Sequence, residues 1–129
     1  MAAQSVLYCA DLPGCEALPA FAPDRVAGVF VAAIERAGGT VVEQVAHHFP
    51  GAGLTCVLIL QESHAILHSW PECGLINIDV FSCSLRLRGA EAIEELARVF
   101  GAQHVAIQQH PRAGGGWTQL ETANQSHTS

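Results

Sequence analysis

Basic residues are scarce in this chain of 129 residues, which has only six Lys and Arg against twelve Asp and Glu. The formal net charge is −6 and the isoelectric point lies near 5.5. A nucleic-acid-binding protein needs a basic surface to neutralise phosphates, so this composition argues against nucleic acid as a partner. Hydrophobic residues make up half of the chain, which is enough for one domain with a real core.

Long hydrophobic runs are also absent from the sequence. No apolar stretch reaches the roughly 18 residues that a membrane-spanning helix needs, so we expect no membrane contact. The first residues, Met1 to Gln4, lack the basic segment and apolar core of a signal peptide, and we therefore expect a cytoplasmic protein. Mean hydropathy is nevertheless positive, +0.27, which predicts an apolar surface that is buried in a homodimer.

Paired cysteine motifs are missing as well. The chain has five cysteines, an odd number, and none of them has CxxC or zinc-ligand spacing. This pattern favours a reduced protein in which most thiols are buried as small hydrophobic groups.

Hydrophobic periodicity predicts two helices and six strands. The first helix opens at Pro23, carries an apolar stripe with i, i+3, i+4, i+7 spacing from Val26, and ends at Gly38. The second spans about residues 90–100 and ends at Gly101. The strands are predicted at residues 5–10, 40–49, 54–60, 64–70, 75–81 and 103–109.

This order of elements predicts an α+β fold. It is a two-layer α/β sandwich, in which a mainly antiparallel sheet carries both helices on one face. The apolar run 54–60 predicts a strand covered on both faces, and the helix-free face again favours a dimer. We expect one domain over residues 1–112 and a flexible Gly-, Ser- and Thr-rich tail over 113–129, in which only Trp117 docks.

Reactive side chains are concentrated between Gln61 and Cys83. His64 and His68 have the spacing of a metal pair on a helix, but this segment is predicted to be a strand, where the imidazoles stand roughly 13 Å apart. We therefore predict no metal site. A Cys83–His68 nucleophile pair is possible if their strands are neighbours, while the alternative is a hydrogen-bonded core histidine and a buried thiol.

A resemblance to a known family favours a catalytic role for these side chains over a purely structural one. The segments Glu62-Ser63-His64, His68-Ser69-Trp70-Pro71-Glu72 and Asp79-Val80-Phe81-Ser82-Cys83 resemble the short prokaryotic class of S-adenosylmethionine decarboxylase. The likeness extends from about residue 23 to residue 110. It includes the glycines that end the first helix and the aromatic Phe49.

The resemblance implies a proenzyme that cuts itself between Glu62 and Ser63. The Ser63 hydroxyl attacks the Glu62 carbonyl, the amide becomes an ester, and β-elimination releases residues 1–62. Hydrolysis then leaves a covalent pyruvoyl group, the pyruvate-type cofactor, at the start of the chain 63–129. This carbonyl forms a Schiff base with the substrate amine and accepts the electrons released as CO₂ departs. We expect a tight turn that strains the 62–63 peptide bond.

The resemblance also implies roles for five further side chains. His68 matches the base that assists processing, and Cys83 matches the donor that returns a proton to the substrate. Thr55 stands where the family has a processing serine, and the alternative is an ordinary β-branched strand residue. Phe49 stands where the family has an aromatic and is suited to stack on an adenine or face a sulfonium, and Glu72 is suited to bond a ribose or meet a cation. The alternatives are a core aromatic for Phe49 and a solvated turn carboxylate for Glu72.

The implied reaction is decarboxylation of the small molecule S-adenosylmethionine for polyamine (spermidine) synthesis, by a homodimer of cleaved protomers. Two departures from the family pattern concern the substrate. Ser5 to Tyr8 replace a usual Gly-x-His segment, and His110 to Gly114 replace a usual Arg-Gly pair. The alternatives are an L-ornithine or L-arginine decarboxylase of the same family, or an uncleaved non-catalytic homologue that acts as a binding or regulatory protein.

Overall fold

The computed structural model describes residues 5–83 and 85–113, which form six strands, two α-helices and one short 3-10 turn. The expectations for the tail, including a docked Trp117, fall on residues 114–129 and lie outside the described part of the chain. The elements in chain order are β1 Ser5–Leu12, the 3-10 turn Leu18–Ala20, α1 Pro23–Arg36, β2 Val41–His48, β3 Leu54–Leu60, β4 Ser63–Trp70, β5 Leu75–Ser82, α2 Gly89–Phe100 and β6 Ala106–Arg112.

The six strands form one sheet in the order β2-β3-β4-β5-β1-β6. All five neighbouring pairs are antiparallel. The strands β2 to β5 follow one another as hairpins, whereas β1 lies between β5 and β6. The predicted α+β fold is thereby confirmed, and the sheet is antiparallel throughout.

Both helices bury an apolar stripe against the same side of this sheet. Pro23 occupies the first turn of α1, where its missing N–H costs nothing, and Asp24 lies at the positive end of the helix dipole. Gly101 ends α2 in the left-handed conformation, with a φ of 71°. The core side chains from the helices include Val26, Phe30, Ile34, Ile93, Leu96 and Phe100.

The opposite side of the sheet carries no helix within residues 5–83 and 85–113, and we call it the open face. Along β5, Ile76, Ile78 and Val80 are buried toward the helices while the residues between them point away. The open face consists of Leu7, Cys9 and Asp11 of β1, Thr55, Val57 and Ile59 of β3, His64, Ile66, His68 and Trp70 of β4, and Asn77, Asp79 and Phe81 of β5.

The prediction that residues 54–60 are covered on both sides is wrong for the single chain. Leu54, Cys56, Leu58 and Leu60 are buried beneath the helices, but Ile59 on the open face is 44% exposed. A continuous apolar strand with one uncovered side is what a face-to-face dimer requires.

The last strand begins three residues later than predicted, at Ala106 rather than at residue 103. The backbone N–H of Gln103 bonds to the carbonyl of Pro13, so this segment is used to bring the chain back to β1. Pro111 lies within β6, which is an edge strand and can accommodate a residue that lacks a donor. Neither α-helix of the described residues is long and apolar enough to cross a membrane.

Candidate active site

The junction between Glu62 and Ser63 lies in a tight hairpin turn between β3 and β4. Leu60 pairs directly with Ser63, which leaves a two-residue loop of Gln61 and Glu62. Glu62 has a φ of 62°, in the left-handed region. A positive φ at the second loop residue alone is the pattern of a type II turn, which favours glycine there and fits the twist of a hairpin poorly. The strain expected at the 62–63 peptide bond is therefore attributed to the left-handed backbone of Glu62.

The glycine-containing turn at residues 38–40, after α1, contacts this hairpin. The N–H of Gln61 donates to the carbonyl of Thr40 at 3.1 Å. Gly38 has a φ of 102°, and a Cβ at this position would lie 1.9 Å from the carbonyl oxygen of Arg86. The turn thus contacts Gln61 in the hairpin loop and Arg86 after β5, so it fixes the position of the loop relative to the end of β5.

The hydroxyl of Ser63 is held at the end of β5. The backbone N–H of Cys83 donates to Ser63 Oγ at 3.1 Å. The Cys83 thiol is itself contacted from β1, because Ser5 Oγ donates to Cys83 Sγ at 3.2 Å. Ser5 is only 2% exposed, so its hydroxyl is shielded from solvent. We call Glu62, Ser63, Cys83 and Ser5 the serine end of the site.

A second group of side chains lies toward the other end of β3 and β4. Thr55 and His68 are directly opposed, and Thr55 Oγ1 lies 2.8 Å from His68 Nδ1. This hydrogen bond sets the orientation of the imidazole ring. Phe49 is 48% exposed and stacks edge-on against His47 at 4.6 Å, so the core alternative for Phe49 does not hold in the single chain.

These side chains surround a cavity of about 440 Å³, which is large enough for a small-molecule ligand. We call this group the histidine end of the site. Its lining residues are Phe49, Pro50, Gly53, Leu54, Thr55, His68, Ser69, Trp70 and Glu72.

The two ends of the site do not meet within one chain. Ser63 and His68 are five residues apart on the same straight strand, which separates them by roughly 16 Å. His68 is paired with Asn77 of β5, six residues before Cys83, which follows the last residue of β5. The Cys83–His68 nucleophile pair considered from the sequence is therefore not formed in a single protomer. His68 also cannot act on the Ser63 of its own chain.

Three of the other thiols have a raised pKa, which disfavours their nucleophilic thiolate form at neutral pH. Burial raises the pKa of Cys15 to about 11 and also raises the pKa of Cys56. The pKa of Cys9 is raised first by burial and then by the neighbouring carboxylate of Asp79. In the described residues there is no group of three or more His, Cys, Asp and Glu side chains that is arranged to hold a metal ion.

Comparisons with known proteins fit this hairpin site. The family model for S-adenosylmethionine decarboxylase matches residues 7–113. The S-adenosylmethionine decarboxylase proenzyme of Acidithiobacillus ferrooxidans is 34% identical over 103 residues, covering 80% of this chain and 77% of the relative. The proenzyme of the same name from Pelotomaculum thermopropionicum is 32% identical, covering 80% and 82%. The chain belongs to the S-adenosylmethionine decarboxylase family.

The fold of this family member also matches a solved structure. The crystal structure of the adenosylmethionine decarboxylase from Aquifex aeolicus superposes with a TM-score of 0.71 at 23% sequence identity. The superposition covers 88% of this chain and 93% of that one. The likeness establishes that the two chains share the fold.

Sequence reasoning about this family member missed three side chains. Ser5 was noted only as a departure in the first strand, yet its hydroxyl contacts Cys83. Asn77 and Asp11 form a hydrogen-bonded chain that reaches Trp70 on the cavity wall. The alternation of β5 placed Asn77 on the same face as Cys83, but the pairing of β1 with β5 carries no local sequence signal.

Proposed function

We propose that this chain is the proenzyme of a pyruvoyl-dependent S-adenosylmethionine decarboxylase, which supplies aminopropyl groups for polyamine (spermidine) synthesis. The observation that carries the proposal is the hairpin at the junction. It combines the left-handed Glu62 with a Ser63 hydroxyl that accepts a hydrogen bond from the Cys83 backbone. Serine is the residue from which a pyruvoyl group can be generated, so the residue at the junction fits the group.

Self-cleavage begins with attack of Ser63 Oγ on the carbonyl carbon of Glu62. The peptide C–N bond breaks, an ester forms, and the amino group of residue 63 is released. Removal of the proton from Cα of residue 63 then expels residues 1–62 as a carboxylate. Addition of water and loss of ammonia leave the pyruvoyl group on the chain 63–129. The proton of the Ser63 hydroxyl passes to the released amino group, and the Cys83 N–H fixes the position of Oγ for the attack.

The pyruvoyl group supplies an electron sink for the carboxyl group that leaves as CO₂. Cys83 is the proton donor to the substrate α-carbon, because its backbone N–H is bonded to Ser63 Oγ and Cys83 is therefore adjacent to residue 63. The hydroxyl of Ser5 holds the Cys83 sulfur in place. Ser5 is thus a positioning residue for this step.

Processing requires a second copy of the chain, because the serine end and the histidine end lie roughly 16 Å apart. A two-fold axis that runs parallel to the sheet just above the open face, perpendicular to β4 and close to Ile66, exchanges the two ends. The Glu62–Ser63 junction of one protomer then lies opposite Thr55 and His68 of its partner. The partner's imidazole is the base that removes the Cα proton. The dimer generated by this axis also buries the apolar part of the open face.

The histidine end then forms the substrate cavity around the partner's pyruvoyl group. Phe49 and Trp70 offer aromatic faces to the adenine ring and to the positively charged sulfonium. Glu72 lies on the rim of the same cavity, where its carboxylate bonds a ribose hydroxyl. An aromatic cavity of about 440 Å³ suits S-adenosylmethionine better than the smaller, aliphatic ornithine.

A panel of carboxyl-labelled substrates tests the function. Purified, cleaved protein is incubated separately with S-adenosylmethionine, L-ornithine and L-arginine, and the released CO₂ is counted. The Ser63→Ala chain serves as the matched control. Release from S-adenosylmethionine alone is expected. CO₂ released from ornithine or arginine alone would identify that amino acid as the substrate in place of S-adenosylmethionine. CO₂ released from none of the three would favour a non-catalytic homologue.

A further inference from the structure

A hydrogen-bonded chain crosses three strands of the open face and ends at the wall of the cavity. The indole N–H of Trp70 on β4 donates to Oδ1 of Asn77 on β5 at 2.8 Å. The Nδ2 amide of Asn77 donates to a carboxylate oxygen of Asp11 on β1 at 2.7 Å. Trp70 lines the cavity, whereas Asp11 and Asn77 do not. The orientation of the indole is therefore controlled from outside the cavity.

The direction of this chain of hydrogen bonds is dictated by chemistry. An indole nitrogen only donates and an ionised carboxylate only accepts, so the amide of Asn77 satisfies both neighbours in a single orientation. The bond to Asp11 is charge-assisted and therefore the stronger of the two. In a dimer that covers the open face, water is excluded from these bonds and both are strengthened.

We propose that Asp11 and Asn77 are positioning residues that hold the indole of Trp70 as a rigid aromatic wall for a sulfonium-bearing substrate. The inference rests on the proposed function and extends it to the control of substrate affinity. A cation binds over the face of an indole, so the gain is lost when the ring is free to turn away. The effect falls on substrate binding, because neither residue lies at the serine end.

The first test reads the orientation of the indole without any turnover. The chain has two tryptophans, Trp70 and Trp117, so a ¹⁵N–¹H spectrum of the uncleavable Ser63→Ala protein has two indole signals, which Trp117→Phe assigns. Asn77→Ala is expected to move the Trp70 signal to the position of a solvent-bonded indole. Asp11→Ala is expected to move it part of the way, and Glu94→Ala on the surface of α2 is expected to leave it unchanged.

The second test uses the cleaved enzyme with S-adenosylmethionine. Asn77→Ala is expected to raise KM about fivefold to tenfold while kcat changes less than about twofold, since one hydrogen bond to the binding wall is lost. Asp11→Asn keeps an acceptor but loses the charge, so a smaller rise in KM is expected. Glu94→Ala is expected to match the parent enzyme.

The outcomes separate this inference from the proposed function. An unmoved indole signal in Asn77→Ala would overturn the positioning role. A moved signal with unchanged KM would overturn the link to substrate affinity. An equal fall of kcat and rise of KM in all three variants, including Glu94→Ala, would mean general loss of structure and would also overturn it. If the parent enzyme does not decarboxylate S-adenosylmethionine, the proposed function fails and the substrate link fails with it, while the indole signal still decides the positioning of Trp70.

Discussion

Ser63 and His68 lie on the same strand roughly 16 Å apart, although the proposed processing step needs the imidazole at Cα of residue 63. Within one chain, each end of the site is ordered by its own hydrogen bond. Ser63 is hydrogen-bonded to the Cys83 N–H, and His68 to the Thr55 hydroxyl. With His68 as the proposed base, this separation predicts that two chains must assemble before cleavage.

The two-chain site predicts rescue between two inactive variants. Neither Ser63→Ala nor His68→Ala is expected to cleave efficiently alone, since each removes one half from both sites of a dimer. When the two are co-expressed with different tags, one site of each heterodimer has an intact Ser63 and an intact partner His68. The His68→Ala chain alone is expected to be cut, as read by electrophoresis and intact mass.

The control for this rescue pairs His68→Ala with the double variant Ser63→Ala, His68→Ala. No complete site arises in that mixture, so cleavage is expected to stay at the level of His68→Ala alone. Absence of rescue in the first mixture, with heterodimers present by tag capture, would contradict a site shared between protomers.

The Thr55–His68 hydrogen bond predicts that a hydroxyl at position 55 is needed for cleavage at a normal rate. Thr55→Val keeps the shape and removes the hydroxyl, and it is expected to slow cleavage by about tenfold or more because the imidazole loses its fixed orientation. Thr55→Ser restores the hydroxyl and is expected to cleave at least as fast as the parent. A time course of freshly translated protein measures the rates, and equal rates for Val and Ser would remove Thr55 from processing.

The left-handed Glu62 predicts that strain at the junction assists cleavage. Glycine tolerates this conformation, so Glu62→Gly in the uncleavable Ser63→Ala background is expected to raise the free energy of unfolding by up to about 1 kcal/mol. With Ser63 intact, the same change is expected to slow cleavage several-fold, because relaxed backbone must be distorted for the attack.

Ala52 provides the matched control for this prediction. It also has a positive φ, 71°, but it lies in the turn between β2 and β3. Ala52→Gly is expected to give a similar gain in stability with unchanged cleavage. If both glycine variants cleave like the parent, strain at Glu62 plays no part in processing.

The contacts of Cys83 predict that cleavage and turnover respond differently to its loss. Cys83→Ala keeps the backbone N–H that bonds to Ser63 Oγ, so at least partial cleavage is expected. Without the thiol, the cleaved protein is expected to turn over poorly or to inactivate itself by misplaced protonation. Product analysis with S-adenosylmethionine measures this, and normal turnover would exclude Cys83 as the proton donor.

Burial predicts an order of reactivity among the cysteines. With its pKa raised to about 11, Cys15 has about one thiolate in a thousand molecules at pH 8, and burial shields it further. Its alkylation by iodoacetamide is expected to be far slower than that of the exposed Cys73, and to rise with pH toward 11. Peptide mapping reads the order, and equal labelling of Cys15 and Cys73 in folded protein would refute the buried position of Cys15.

Much of the fold follows from local patterns. The strand 54–60 was predicted with its observed limits, because a turn sequence precedes a continuous apolar run and the two together define where the strand begins and ends. Both helices were placed to within about a turn by their caps and apolar stripes. The last strand was misplaced by three residues, since its start depends on the bond from Gln103 to Pro13 rather than on its own residues.

The roles of the individual site residues stay predictions, and their arrangement was not predicted. The resemblance supplied Ser63, His68 and Cys83, and the structure adds that Ser63 and His68 lie far apart on one strand. What local reasoning had no means to supply is the position of β1 beside β5. That long-range pairing alone brings Ser5 to Cys83 and Asp11 to Asn77.

Intact mass of the purified protein, before and after long incubation, tests the central claim most directly. The account predicts that the 13.6 kDa chain gives two products that end and begin at the Glu62–Ser63 junction. The larger-numbered chain, 63–129, should be lighter than its serine-initiated form by one ammonia and should gain mass with a carbonyl reagent such as phenylhydrazine. The Ser63→Ala chain should remain whole. A single uncut chain that nevertheless releases CO₂ from S-adenosylmethionine would contradict the account.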